Sequence, residues 1–255
     1  MLKSGLPNDV LITLEAPALS AQDDRAQRAA RAGEGCWPES KLDQEVGEKH
    51  HRTILISHAH DRDQWLATAA REGRMPMLAT SDKEPLTLYG SNHKVHYRSG
   101  ATMQFAAVSQ YAARPATIQR APELLAALGD ALRAYWGMAN AFETASRTGL
   151  QISPPGIDRT PPPGLPRLRV MDELAGPDVP QRLGWINYWS AQAAARLRFP
   201  DPARDANWLP RSREVGSGAW LLQLTEEPLD LDRKEHVELL AAAYARFDAV
   251  GRATE

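Results

Sequence analysis

Residues 10–16 read VLITLEA, a short run rich in β-branched and apolar side chains. This composition predicts an opening β-strand. Outward from it, Ser20 is placed to cap a helix over residues 21–32, which Gly33 ends. Further strands are predicted over residues 53–57, 77–79, 86–89 and 103–108, with a short helix starting at Asp61 or Asp63. Because strands and helices alternate, we expect an α/β (or α+β) fold whose helices cover a largely mixed or parallel sheet.

The clearest helical pattern follows in residues 121–139, APELLAALGDALRAYWGMA. Its apolar stripe has the helical period and comprises Leu124, Leu125, Leu128, Leu132, Tyr135 and Trp136. Residues 153–166 contain six prolines, which supply no backbone donor, so a long connection is predicted there. We expect one domain over residues 1–255. The alternative is an α/β lobe over residues 1–150 and an α+β lobe over residues 167–255.

The last ninety residues add a strand and a helix to this prediction. Residues 219–225, AWLLQLT, are typical of a strand. Asp232 then begins the final helix, with Glu235 placed for a capping-box-like arrangement. The buried stripe of that helix is predicted to be Val237, Leu240, Ala241, Tyr244 and Phe247. Residues 34–50 are polar and irregular, and are predicted to form a surface loop.

Composition excludes several classes of protein. The chain has 255 residues, a net charge of −2 and a pI near 6.4, whereas a general nucleic-acid binder needs a concentrated basic surface. Cys36 is the only cysteine, so neither an internal disulfide nor a cysteine-built zinc site can form. Neither a signal peptide nor a run of about 18 apolar residues is visible. We therefore expect a cytoplasmic protein without membrane or direct nucleic-acid contacts.

His58, His60 and Asp61 are the strongest catalytic candidates. Two histidines that flank one residue at a strand end could hold a metal ion, as in a metal-dependent hydrolase. The two-histidine metallo-hydrolase pattern needs an aspartate two residues after the second histidine and then a further histidine. Arg62 and Asp63 occupy those two positions. Polar strand-end residues that form turn and cap hydrogen bonds are therefore the preferred interpretation.

The other catalytic patterns fail in a similar way. His93 and His96 lie three apart in a β-like segment, where their side chains point to opposite faces. Residues 216–218, GSG, lack the spacing of a serine nucleophile elbow and precede a strand. A phosphate-binding loop is also missing. We therefore expect no catalytic residue, metal or cofactor.

Two features suggest binding to another protein. The first is a concentration of aromatic residues, which are enriched at interface hot spots although most of these rings are expected in the core: Trp185, Tyr188, Trp189, Trp208 and Trp220. The second is a group of acids that includes Glu226, Glu227, Asp230 and Asp232. They could dock on a basic cleft, or they could favour the start of a helix through its dipole. The partner-binding candidates are Glu226, Glu227, Asp230, Asp232, Trp208 and Tyr188.

Several segments match a family pattern. They are residues 182–190 (RLGWINYWS), 199–205 (FPDPARD), 219–232 (AWLLQLTEEPLDLD) and 243–247 (AYARF), with His236, residues 135–137 (YWG) and residues 74–78 (RMPML). In these segments the chain resembles an uncharacterised bacterial family connected with polymorphic-toxin and type VI secretion immunity. The resemblance extends over most of the chain, and the first 50 residues fit least.

The resemblance implies a cytoplasmic partner of a secreted effector that carries a restriction-endonuclease-like nuclease domain. Such a protein would neutralise its cognate nuclease toxin by forming a stoichiometric complex. Two alternatives stay open at this point: a metal-dependent hydrolase that uses His58, His60 and Asp61, and an adaptor that loads an effector without inhibiting it.

Overall fold

The computed structural model describes residues 9–46, 53–55, 59–81, 85–153, 156–216 and 218–251, with backbone only for residues 53–55, 59 and 60. Over these residues the strands are β1 (Asp9–Pro17), β2 (Leu42–Val46), β3 (Thr53–Leu55), β4 (Arg74–Thr80), β5 (Thr87–Tyr97), β6 (Gly100–Ala112), β7 (Trp136–Ala141), β8 (Ile186–Trp189), β9 (Ser212–Val215) and β10 (Ala219–Gln223). The α-helices are α1 (Arg25–Cys36), α2 (Ala59–Arg71), α3 (Pro115–Leu132), α4 (Phe142–Gly149), α5 (Ala191–Leu197) and α6 (Lys234–Arg246).

One sheet joins all ten described strands in the order β3-β2-β4-β5-β6-β1-β7-β8-β10-β9. The expected combination of strands and covering helices is confirmed. The expected parallel pairing is wrong, because all nine described pairings are antiparallel. The connection from β6 through α3 to β7 does produce two strands that run in the same direction. However, β1 lies between them and pairs with both, so they never become neighbours.

The opening strand predicted over residues 10–16 is β1, and it lies near the centre of the sheet. Its side chains point alternately to the two faces of the sheet. Val10, Ile12 and Leu14 are fully buried, and α3 covers β1 on their face, with α1 packed against α3. On the opposite face, the strand register forms a row of large side chains across four strands, comprising Glu15, Trp136, Trp189 and Trp220.

The helix predicted over residues 121–139 corresponds to α3, but its end is wrong. The predicted stripe is buried as far as Leu132, and the helix starts earlier, at Pro115. Arg133 then adopts a left-handed conformation with φ 53°, which ends the helix. Residues 136–141 become β7, because the free edge of β1 supplies their backbone hydrogen bonds. A tertiary contact of this kind overrides local helical periodicity.

The segments that carry the family resemblance pack against one another in the C-terminal half. The Phe199 ring stacks edge-on against Trp189, Trp220 and Phe247 at centroid distances of 5.3, 5.4 and 5.8 Å. The Asp205 carboxylate accepts hydrogen bonds from Arg246 Nε at 2.5 Å and Arg246 Nη2 at 2.9 Å. These motif residues therefore hold the loop before β9 against α6, which is a structural role.

Three local predictions also need correction. Helix α1 begins at Arg25, four residues later than predicted, and Ser20 does not cap it. The predicted loop over residues 34–50 contains β2, which is anchored by the fully buried Leu42. Helix α6 begins after Arg233, and Asp232 does not cap it with its side chain. The Asp232 amide instead donates to the Asp230 carboxylate at 2.9 Å, which closes a local turn.

The proline-rich connection agrees with the sequence prediction. Residues 153 and 156–166, the described part of the proline-rich connection, contain no helix or strand. Strands from both sides of this connection belong to the same sheet.

Among the helices of the described ranges, none combines the length and the apolar character that crossing a bilayer requires.

Candidate functional site

The four acidic candidates lie between β10 and α6, in a stretch that we call the acidic segment (residues 226–232). Its backbone is held against the core by Leu229 and Leu231, whose side chains are buried. The Thr144 hydroxyl adds a hydrogen bond of 2.6 Å to the Leu229 carbonyl. Alternation along the chain then turns Asp230 and Asp232 outward, and Glu226 and Glu227 are exposed as well.

Cations on the same surface pair with half of these carboxylates. Glu227 contacts Arg233, and Asp232 lies 2.8 Å from Arg147. Such exposed pairs contribute little to stability and exchange readily with other partners. Within the described residues, no ion pair involves Glu226 or Asp230. The acidic segment therefore presents a net negative surface.

Buried His236 contacts the acidic segment at two residues. Its Nδ1 atom accepts the Asp230 amide hydrogen bond at 3.0 Å, while its Nε2 atom lies 3.7 Å from Glu227 Oε1. An imidazole that accepts through Nδ1 carries its proton on Nε2, the nitrogen that faces the Glu227 carboxylate. His236 thus supports both the backbone and one carboxylate of the acidic segment.

The two aromatic candidates occupy the core. Trp208 is 9% exposed and Tyr188 is 4% exposed, and both belong to the main hydrophobic cluster. The fully buried Trp185 and Trp189 belong to it as well. The expectation that most of these rings are core residues is thereby confirmed. So little of either side chain is exposed that the partner-binding hypothesis rests on the acids.

The histidine candidates are only partly placed. His58 lies outside the described residues, and only the backbone of His60 is described, in the first turn of α2 beside the exposed Asp61. His93 and His96 both lie in β5, whose alternation puts them on opposite faces, as the sequence predicts. Across the described ranges, no group of three or more His, Cys, Asp or Glu side chains is arranged to hold a metal ion.

A polar cluster around Glu15 was not predicted. Glu15 is 14% exposed, and its Oε2 atom lies 3.6 Å from His93 Nε2, which is too far for a good hydrogen bond. Trp136 stands directly opposite Glu15 in the register. Within the described residues, hydrogen-bond partners are missing for Glu15 Oε2, Thr13 Oγ1, His93 Nδ1 and Trp136 Nε1. Burial raises the pKa of Glu15 to about 8, so this carboxyl is largely protonated at neutral pH.

The sequence gives no local sign of this cluster. An alternating strand with Thr13 and Glu15 on its second face is typical of a sheet that faces water on that side. Both faces of β1 are covered here. The aromatic row and the segment around Leu174 and Val179, which packs on Tyr97, come from distant parts of the chain.

A cleft of about 450 Å³ opens near the end of α3, and it was not predicted either. Arg28 on α1 and Arg133 after α3 line it, and both carry guanidinium groups. Tyr135, Tyr188 and Ser190, which carry hydroxyl groups, line it as well. Its volume falls within the range of small-molecule binding pockets.

Comparison with known proteins gives one structural and one family result. A solved structure described as "Pseudomonas aeruginosa T6SS protein PA0821" is similar in fold, with a TM-score of 0.55 and 12% sequence identity. The similarity covers 96% of this chain and 73% of that one. No match was found among curated proteins. The family model described as "Domain of unknown function (DUF5953)" matches residues 21–254, and the chain therefore belongs to that family.

Proposed function

We propose that this protein is an immunity protein of a type VI secretion system, which binds and neutralises a cognate nuclease effector in the cytoplasm. The observation that carries the proposal is the fold similarity to a type VI secretion protein over 96% of the chain. The sequence resemblance to immunity proteins such as TsiT points the same way. On this account the protein works stoichiometrically and needs no cofactor.

The acidic segment supports this proposal because nucleases bind phosphates through basic clefts. An inhibitor that presents carboxylates to such a cleft is attracted over long distances and associates faster. The outward carboxylates of residues 226–232 lie on a backbone fixed by Leu229, Leu231 and His236. A preorganised surface of this kind loses little conformational freedom on binding.

Neutralisation at low cellular concentration sets the required affinity. A nanomolar complex corresponds to about −12 kcal/mol. An interface of standard size, roughly 800 Å² on each partner, is sufficient when a few residues anchor it. The acidic segment would form only part of such an interface.

Replacing the four acids by their amides is expected to weaken effector binding. For the variant E226Q/E227Q/D230N/D232N, we expect the association rate at low salt to fall at least about tenfold, with a weaker dependence on salt. Amides keep the shape of the segment and remove its charge. Surface plasmon resonance against a catalytically inactive effector domain, over a series of salt concentrations, measures both quantities.

A charge-matched control separates local attraction from net charge. The variant E39Q/E72Q/E123Q/D172N removes four exposed carboxylates elsewhere on the described surface. It should bind at nearly the wild-type rate. If the two variants associate equally fast and with the same salt dependence, the acidic segment does not guide effector binding.

A further inference from the structure

The cleft near the end of α3 contains hydrogen-bond donors that lack acceptors. The Nε and Nη2 atoms of Arg28 are shielded from solvent, and neither has a hydrogen-bond partner within the described residues. Asp24 Oδ1 lies 3.2 Å from Nε, but outside hydrogen-bonding geometry. Guanidinium donors without an acceptor are costly. The Arg28 side chain is 32% exposed as a whole, so its rotation towards a ligand oxygen in the cleft would be favoured.

Arg133 brings a second guanidinium to the same cleft. It has φ 53°, a left-handed conformation in which glycine is the usual residue at a helix end. An arginine here imposes backbone strain, and strained residues are concentrated at functional sites. Its side chain is exposed and forms no ion pair with the described residues. Its charge is therefore available to a ligand.

The cleft is also lined by residues with neutral hydrogen-bond donors. Burial raises the pKa of Tyr188 to about 12, and nearby Asp130 adds to the effect, so the Tyr188 hydroxyl stays protonated at neutral pH. Burial also raises the pKa of Tyr135. The Ser190 oxygen accepts the Ala193 amide at 3.2 Å, which leaves the Ser190 hydroxyl proton free to donate.

The cleft also contains negative charge, which limits the kind of ligand. Asp130 belongs to its wall and lies against Gly216, where an added Cβ would stand 2.8 Å from Asp130 Oδ1. Asp24 offsets part of the Arg28 charge. Two guanidinium groups beside two carboxylates suit a single-charged oxyanion better than a polyphosphate. The fork geometry of arginine matches a carboxylate in particular.

We propose that this cleft is a carboxylate-binding site, in which Arg28 and Arg133 hold the two oxygens of the ligand and the hydroxyls of Tyr188 and Ser190 donate to them. The ligand class is a small organic acid or the carboxylate of an acidic peptide. The site does not depend on the acidic segment, which lies outside the cleft lining.

Isotope-labelled full-length protein titrated with glutarate, acetyl-Gly-Glu-Gly-amide or inorganic phosphate provides the test. We expect saturable amide shifts at Tyr135, Ser190 and Gln192 with one or both carboxylates. A response to glutarate alone assigns the ligand as a small acid, and a response to the peptide assigns it as a side chain. Tighter binding of phosphate, or no saturable shift with either carboxylate, overturns the proposal.

Substitutions then test the assigned donors. R28Q and R133G should each weaken carboxylate binding at least tenfold, and R133G should fold well because glycine accepts the left-handed conformation. R31Q is the matched control, since Arg31 lies on the same helix but pairs with Asp63. If R28Q and R133G bind as tightly as R31Q, the proposed donors are wrong.

Discussion

The substitution D205A is expected to lower the free energy of unfolding by about 3–5 kcal/mol. Asp205 is fully buried, and its carboxylate accepts two hydrogen bonds from Arg246 and one, of 2.7 Å, from the Asp201 amide. Removing it leaves a largely buried guanidinium without its counter-charge, and leaves the Asp201 amide without an acceptor. Urea unfolding followed by circular dichroism measures the change.

The loss of stability in D205A is compared with the losses in R246L, which removes the partner of Asp205, and in R213Q, which breaks an exposed ion pair. R246L should lose a similar amount, because it leaves the Asp205 charge buried alone. The double variant D205A/R246L should lose clearly less than the sum of the two single losses, since neither charge is then left without its partner. R213Q, which breaks the exposed pair with Glu123, should change stability by less than roughly 1 kcal/mol. A D205A loss as small as that of R213Q would contradict the assigned role of this buried pair.

The substitution E15Q is expected to stabilise the protein at alkaline pH. Burial raises the pKa of Glu15 from 4.5 in a model peptide to about 8 in the folded protein. The protonated carboxyl therefore makes its full contribution to the free energy of unfolding below pH 4.5. This contribution is lost as the pH rises through 8. Glutamine has no charge to bury, so E15Q should exceed wild type by roughly 3–5 kcal/mol at pH 9, and by far less at pH 5.

Urea unfolding of wild type and E15Q at pH 5, 7 and 9 tests whether E15Q becomes the more stable protein as the pH rises. The groups that face the Glu15 carboxyl are His93 at 3.6 Å and, farther away, the Tyr97 hydroxyl. If E15Q gains no stability relative to wild type between pH 5 and pH 9, the Glu15 carboxyl is not neutral in the folded protein. The exposed carboxylate substitution E72Q is the control, and it should leave the pH dependence of stability unchanged.

The sequence predicted elements whose stability is local. The strand over residues 10–16 and the hairpin partners at residues 86–89 and 103–108 were found because alternation and β-branched residues determine them. The buried stripe of α6 was largely found for the same reason, with Leu240, Tyr244 and Phe247 in the core. A single face of a helix or strand is enough to reveal such an element.

The errors occur where distant residues decide the structure. The YWGMA stretch after Leu132 has helical periodicity, yet it becomes β7 because β1 offers an open edge there. Glu15 would face water on an uncovered strand, but tryptophans from β7 and β8 cover its surroundings. The carboxylate cleft combines α1, the end of α3 and the start of α5, so no sequence spacing reveals it.

The most direct test of the immunity proposal is growth of cells that produce the effector domain encoded beside this gene, with and without this protein. We expect coproduction to restore growth, a one-to-one or higher complex to be isolated, and the effector in this complex to be inactive. Absence of both rescue and complex would contradict the immunity proposal. A stable complex in which the effector stays active would also contradict it, because that is the behaviour of an adaptor.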